Sequence, residues 1–323
     1  MKLLSLLLLA LPLLALDGTV INGTTDRPVA GATVNLFRFG DAGMEHAGAV
    51  TADAEGRFRF ESAPAGPQML QVVHQGVTYN QMVRPEATQE VRLAVYNVSP
   101  RSTEARVVQH MVLLEPDEGR LIIHESVIYR NDSRITYNDP ANGTFRFYLP
   151  KETGGQVRVT AHSPGGIVPI QRVAEPTSAP NIYAVDFPVK PGETRFDLTY
   201  QVPMPDPPVF YSRTVHGGGP LRLVAPYGVR FKGDNLDDLG PEPRTQATIY
   251  HVHGSEYRVE IEGEGSLRGP QPTEPDEDEG ARVRQSLPRL YQRLYIVLGL
   301  GLAILALGFA LLYRRSEIKA TRK

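Results

Sequence analysis

The chain has no cysteine and no tryptophan. Without cysteine there can be no disulfides, thiolate zinc sites, C-x-x-C-H haem attachment, cysteine nucleophile or lipidated N-terminal cysteine. Small extracellular domains are often stapled by disulfides, whereas domains with adequate cores need no staple. A cysteine-free exported chain therefore fits a bacterial envelope better than an animal cell surface. The lack of tryptophan removes the strongest stacking platform for a carbohydrate. Net charge is small as well: 34 Lys and Arg face 36 Asp and Glu, a formal charge of -2. Nothing in that balance points to nucleic acid. What the chain does have is 30 Gly and 27 Pro in 323 residues. That richness predicts many turns and short strands rather than long helices.

Two apolar runs stand apart from the rest. Residues 1–16 read MKLLSLLLLALPLLAL, a short positive start followed by a leucine run. The run is too short to span a bilayer, which takes about 20 apolar residues. A cleaved signal peptide is expected, with the cut after Ala15 or Leu16. Residues 294–313 read LYIVLGLGLAILALGFALLY, without a charge. That length matches the hydrocarbon core, and Tyr291, Tyr295 and Tyr313 sit where an aromatic belt would. One transmembrane helix is expected there, in contact with membrane lipid, with the body outside the cytoplasm and the basic tail 314–323 inside. Residues 266–290 are rich in proline and acid and are expected to form a solvated linker. The acidic run lacks the spaced Asp/Asn–Gly pattern of a calcium loop.

Between these segments the pattern is that of β-strands. In residues 17–95, RFRF alternates Phe58 and Phe60 against Arg57 and Arg59. VNLF sets Val34 and Leu36 on one face. Thr51–Gly56 is turn chemistry, with Gly56 suited to positive φ. In residues 100–265, strands are expected at ARVVQHMVLLE, RLIIHESVIYRN, GTFRFYLP, GQVRVTAH, IYAVDFPV, TRFDLTYQVP, LRLVAP, ATIYHVHG and YRVEIEG. PMPDPPVF carries four prolines, which cannot sit in a central strand. The region is one sandwich or two, with a split near 203–220. The fold class expected is all-β, with tandem antiparallel β-sandwiches.

The residues Gly18, Val20, Pro28, Gly31, Ala32, Val34, Thr51, Asp53, Gly56, Phe58, Phe60, Pro64 and Gly66 follow one order. They read G-x-V, P-V-A-G-A-x-V, T-x-D-x-x-G-x-F-x-F and a P-x-G turn. In that order the segment resembles the carboxypeptidase regulatory-like domain family. The resemblance implies a transthyretin-like β-sandwich over residues 17–95 and an exported setting. It implies no activity, since the module is an accessory one.

Few residues point to chemistry. His251 and His253 form H-V-H on an expected strand, where period two puts both rings on one face. His216, ahead of Gly217–Gly218–Gly219, could add a third ligand to a zinc site with an open position. Against this stands the reading as surface imidazoles on a solvated strand. His46, His74, His110, His124 and His162 are scattered and suggest no further set. There is no G-x-S-x-G elbow. Asp237 and Asp238, in GDNLDDLG, read as a loop rather than a carboxylate pair for catalysis. Tyr129, Tyr137, Phe145, Phe147, Tyr148, Phe210 and Tyr211 could meet a sugar, but core packing explains them first. Sequons begin at Asn22, Asn97, Asn131 and Asn142 and lie in Asn/Gly/Thr-rich turns.

The function expected is therefore binding or scaffolding outside the cytoplasm, without catalysis and without a cofactor. The partner would be a protein or an envelope polymer, met through sheet edges and turn-end loops. Two alternatives remain: an accessory subunit of a membrane complex, or a zinc-dependent hydrolase centred on His251 and His253.

Overall fold

Alternating burial along short strands builds two β-sandwiches. The computed structural model describes residues 15–267, apart from 41–42, 62–65, 86, 102–103 and 167. The expected linker beyond 267, the transmembrane span 294–313, the tail 314–323 and the leader up to residue 14 lie outside the described residues. Among the described residues there is no α-helix, and no helix is long and apolar enough to cross a membrane. The fold is all-β.

The first sandwich contains β1 (Leu16–Asn22), β2 (Thr33–Gly40), β3 (Gly43–Thr51), β4 (Arg57–Phe60), β5 (Gln68–His74), β6 (Val77–Val83) and β7 (Val91–Val95). β1 pairs antiparallel with β4 and with the short segment Arg27–Pro28, and parallel with β7. The second sheet runs β3-β2-β5-β6. One core, with Leu16, Val20, Val34, Leu36, Phe58, Phe60, Leu70, Val72 and Leu93, draws on both sheets. Phe58 and Phe60 point in while Arg57 and Arg59 point out, as the alternation requires.

Turn chemistry explains the spacing of the motif. Asp53 accepts the backbone N–H of Glu55 at 3.0 Å and of Arg57 at 2.7 Å, and its carboxylate also takes Arg57 Nε at 2.8 Å. These bonds turn the chain so that β4 starts in phase. Gly56 has φ +73°, and a Cβ there would lie 2.8 Å from the Val20 carbonyl oxygen. Gly18 lets β1 and β7 approach: a Cβ would meet the Val91 carbonyl oxygen at 2.1 Å. Leu16, which could have been the last residue of the leader, is instead the first residue of β1. It is fully buried and opposite Phe60. Cleavage after Leu16 would delete a core side chain, whereas cleavage after Ala15 would keep it.

The second sandwich contains β8 (Ala105–Asp117), β9 (Arg120–Asn131), β10 (Phe145–Tyr148), β11 (Arg158–His162), β12 (Ile170–Arg172), β13 (Ile182–Val185), β14 (Gly192–Pro203), β15 (Val209–Arg213), β16 (Leu221–Ala225), β17 (Arg230–Lys232), β18 (Leu236–Pro241), β19 (Thr248–Val252) and β20 (Glu256–Glu262). One eight-stranded sheet runs β12-β11-β14-β9-β8-β16-β19-β18. Two smaller sheets, one pairing β10 with β13 and one ordered β15-β20-β17, share its core. β8 and β9 form a long hairpin over Glu118 and Gly119, both with positive φ, which suits the right-handed twist of the strands.

Residues 105–262 are not split. β16 pairs parallel with β8, so the strands after the proline-rich stretch extend the same sheet. The prolines end β14 and are followed directly by β15, a strand the sequence pattern did not reveal. GDNLDDLG, expected as a loop, holds most of the edge strand β18. Phe145 and Phe196 stack at 4.2 Å between centroids in the middle of the core. Full burial of each such ring contributes about 1.5–3 kcal/mol.

The two sandwiches belong to one compact unit. Their junction is polar. Val98–Ser99 pairs parallel with Thr136–Tyr137. The Tyr79 hydroxyl lies 2.8 Å from Thr136 Oγ1, and Lys190 Nζ donates to the Thr78 carbonyl at 2.6 Å. Asn22 Nδ2 donates to Asn97 Oδ1 at 2.8 Å, Thr24 Oγ1 donates to the Arg134 carbonyl, and Arg134 pairs with Asp26.

Candidate functional site

In β9 the inward positions are Leu121, Ile123, Glu125, Val127 and Tyr129. Glu125 is the acid in that row, and it is 7% exposed. In β8 a bulge between Val107 and Gln109 changes the phase, so His110 points inward together with Val112 and Leu114. Register then sets His110 and Glu125 diagonally across the two strands. His110 Nε2 donates to Glu125 Oε2 at 2.9 Å. Tyr200, on β14, donates to Glu125 Oε1 at 2.5 Å. From the facing sheet, Ser212 and Tyr257 lie opposite each other on β15 and β20, both buried. Burial first, and the Glu125 charge next, push both phenols well above the usual tyrosine range. His110, Glu125 and Tyr200 thus form a hydrogen-bonded polar group in the core, with Ser212 and Tyr257 of the facing sheet buried as well.

His216 closes one side of this network. Its ring lies 5.5 Å from His110, 5.9 Å from Tyr129 and 6.0 Å from Phe145, between centroids. Burial, and then the neighbouring His110, lower its pKa to about 3, while its own backbone pulls the other way. The ring is therefore neutral at physiological pH. The loop that carries it lies against β8: a Cβ on Gly219 would be 2.7 Å from the Val108 carbonyl carbon.

His251 and His253 do share a face, with rings 5.0 Å apart. Asp237, opposite His251 in register, takes His253 Nε2 at 2.6 Å. His216 is held instead against His110 and two aromatic rings. Among the described residues no group of three or more His, Cys, Asp or Glu is placed to hold a metal ion. Asp238 binds the backbone N–H of Gly240 at 2.7 Å, a turn role.

Of the aromatic candidates, Tyr129, Phe145, Phe147 and Phe210 are core residues, and Tyr137 is half-buried. Tyr211 is exposed, Tyr148 stands 6.0 Å from it, and the Arg213 guanidinium lies 5.4 Å from the Tyr148 ring. Asn22, Asn97 and Asn131 are built into or beside the junction. Asn131 is 2% exposed and donates to the Ile135 and Val189 carbonyls.

Open clefts lie on both sandwiches among the described residues. One, of about 800 Å³, lies on the first sandwich and mixes Asp17, Asp53 and Glu90 with Arg57, Arg59 and Arg92. The other, of about 820 Å³, runs between the edge strand β12 and the segment Glu175–Ala179, with Arg146, Arg172 and Asp186 in its wall.

Comparison with known proteins identifies the first sandwich. Residues 15–96 match the carboxypeptidase regulatory-like domain, so that module is a domain of this family. No curated protein matches the chain. Among solved structures, a mutant M1 zinc metallopeptidase from Deinococcus radiodurans is 13% identical with a TM-score of 0.28. The same mutant bound to a Tyr-Ser-Ala substrate is 14% identical with a TM-score of 0.27. Each alignment covers 49% of this chain but only 42% and 43% of theirs, so the chain spans under half of their length. At these scores the likeness carries no argument about this chain.

Proposed function

We propose that the chain is a non-catalytic binding or scaffolding protein, anchored in a membrane by residues 294–313 with its body outside the cytoplasm. One observation carries the reading: the carboxypeptidase regulatory-like domain and the second sandwich are joined by a junction of paired strands and specific hydrogen bonds. Such a body presents fixed surfaces rather than two swinging modules. Its sheets keep open edges at β3, β12 and β18, which offer unpaired backbone groups to a partner. The partner would be a protein or an envelope polymer.

The test is a cross-linking pull-down of the full-length protein from native membranes, beside a chain lacking 294–323. A partner that follows both chains is expected. A partner that follows only the full-length chain would place the contact in the membrane segment and favour an accessory subunit of a membrane complex. Capture of no partner by either chain would contradict both.

A further inference from the structure

We propose that the cleft between β12 and the Glu175–Ala179 segment binds a short peptide with free ends, its carboxylate on Arg146 and its ammonium group on Glu175. Register sets out the two charges. Arg146 of β10 pairs with Ala184 of β13, and Ala184 pairs in turn with Glu175. Residues paired in register share a face, so all three side chains stand on one side of this small sheet. Phe145, Phe147 and Val185 fill its other side, in the core. Arg146 and Glu175 are thus two strand spacings apart, about 10 Å, with Ala184 in the row between them. Both are exposed, and neither forms an ion pair among the described residues. Gly143 lies against Ala184 and carries the loop wall of the cleft: a Cβ there would be 2.3 Å from the Ala184 Cβ.

The rest of the cleft fits that ligand. An extended peptide covers about 3.3–3.6 Å per residue, so two or three residues set their end charges at this spacing. Arg146 offers a planar fork of N–H donors, which takes a carboxylate through two bonds. Arg172 and Asp186 add one further charge of each sign to the wall, and neither forms an ion pair among the described residues. The Arg172 guanidinium lies instead 5.1 Å from the Phe187 ring. Two cations and two acids that do not neutralise one another suit a ligand carrying both charges better than a plain anion or cation. Gln171 and Arg172 of β12 line the cleft, and β12 is the edge of the eight-stranded sheet, so its unpaired backbone groups are open to those of the peptide. Val173, 80% exposed, and Val215 give its side chains apolar contact.

Saturation-transfer NMR on the full-length protein in detergent, with trialanine as the probe and detergent alone as the blank, tests the site. Saturable binding is expected, weakening as salt is added. N-acetyl-trialanine and trialanine amide each lack one end charge and should bind about fivefold more weakly, the upper range for a charge pair open to solvent. Arg146→Gln and Glu175→Gln, both at exposed positions, should weaken trialanine by a similar factor. Arg146→Gln should no longer distinguish trialanine from its amide, nor Glu175→Gln trialanine from its N-acetyl form. Arg59→Gln, in the cleft of the first sandwich, should bind as wild type does. The site rests on the proposed binding role, yet the two fail separately: a partner captured in the pull-down without any trialanine binding would end the site alone. The proposal is overturned if wild type shows no saturable binding, if the blocked peptides bind as trialanine does, or if either cleft variant binds as wild type does.

Discussion

The cores of the two sandwiches are built on different terms. The first is built mainly of apolar side chains from both sheets, and the Tyr79 hydroxyl at its margin is spent on Thr136 at the junction. The second carries an acid, a histidine and two tyrosines through its centre. In the first, stability follows mainly from buried apolar area. In the second it also depends on the bonds that Glu125 accepts from His110 and Tyr200, because an unpaired buried group is costly. The difference teaches where the fold is most easily broken. A core that retains buried polar groups against their desolvation cost loses most when one of their partners is removed.

The comparison breaks most sharply at Glu125. Glu125→Ala strips the acceptor from two buried donors and should cost about 3–5 kcal/mol, read by chemical denaturation. Replacing Glu125, His110 and Tyr200 together by apolar residues of similar volume should recover most of that loss. If the triple replacement is as damaging as Glu125→Ala, the second core does not depend on polar satisfaction. In the first core, Leu36→Ala should cost about 2–5 kcal/mol, by lost transfer energy and the cavity left behind. Gly18→Ala should cost about 1–3 kcal/mol, because its methyl group meets the Val91 carbonyl where β1 and β7 approach.

A further effect lies at the junction and appears as a pH dependence. Burial lowers the Lys190 pKa from 10.5 to about 8. Between those values the unfolded chain binds the proton and the folded chain does not, so folding stability should rise as pH climbs from 8 toward 10.5. Below pH 8 the burial cost is constant. Lys190→Met should flatten that rise in denaturation midpoints measured across the window. A rise unchanged in Lys190→Met would assign it to another group.

Much of the fold was legible because period two is a local signal. Val34, Leu36, Phe58 and Phe60 declare their faces, and Asp53 and Gly56 declare the turn between them. The nine strands expected in the second region are all present. What local pattern cannot carry is long-range pairing. The parallel join of β16 to β8 unites residues on either side of the proline stretch, and no residue in LRLVAP announces it. β18 is acidic and exposed, so its strand character comes only from pairing with β19. The site was half legible. Glu125 interrupts an otherwise apolar row in RLIIHESVIYRN, a signal present in the sequence. His110 was hidden, because alternation counted from Val107 turns it outward and only the bulge turns it in. His216 stood out in sequence, but its partner proved to be His110 rather than His251 or His253.

The account rests on the two sandwiches acting as one body. Hydrogen exchange of the full-length protein, followed by mass spectrometry, tests this most directly. Peptides from β1, β5 and β7 should share one opening free energy with peptides from β8, β9 and β14, and Tyr79→Phe with Lys190→Met should separate the two sets. If the wild-type sandwiches already open with distinct free energies, the junction does not couple them and the single-body account is wrong.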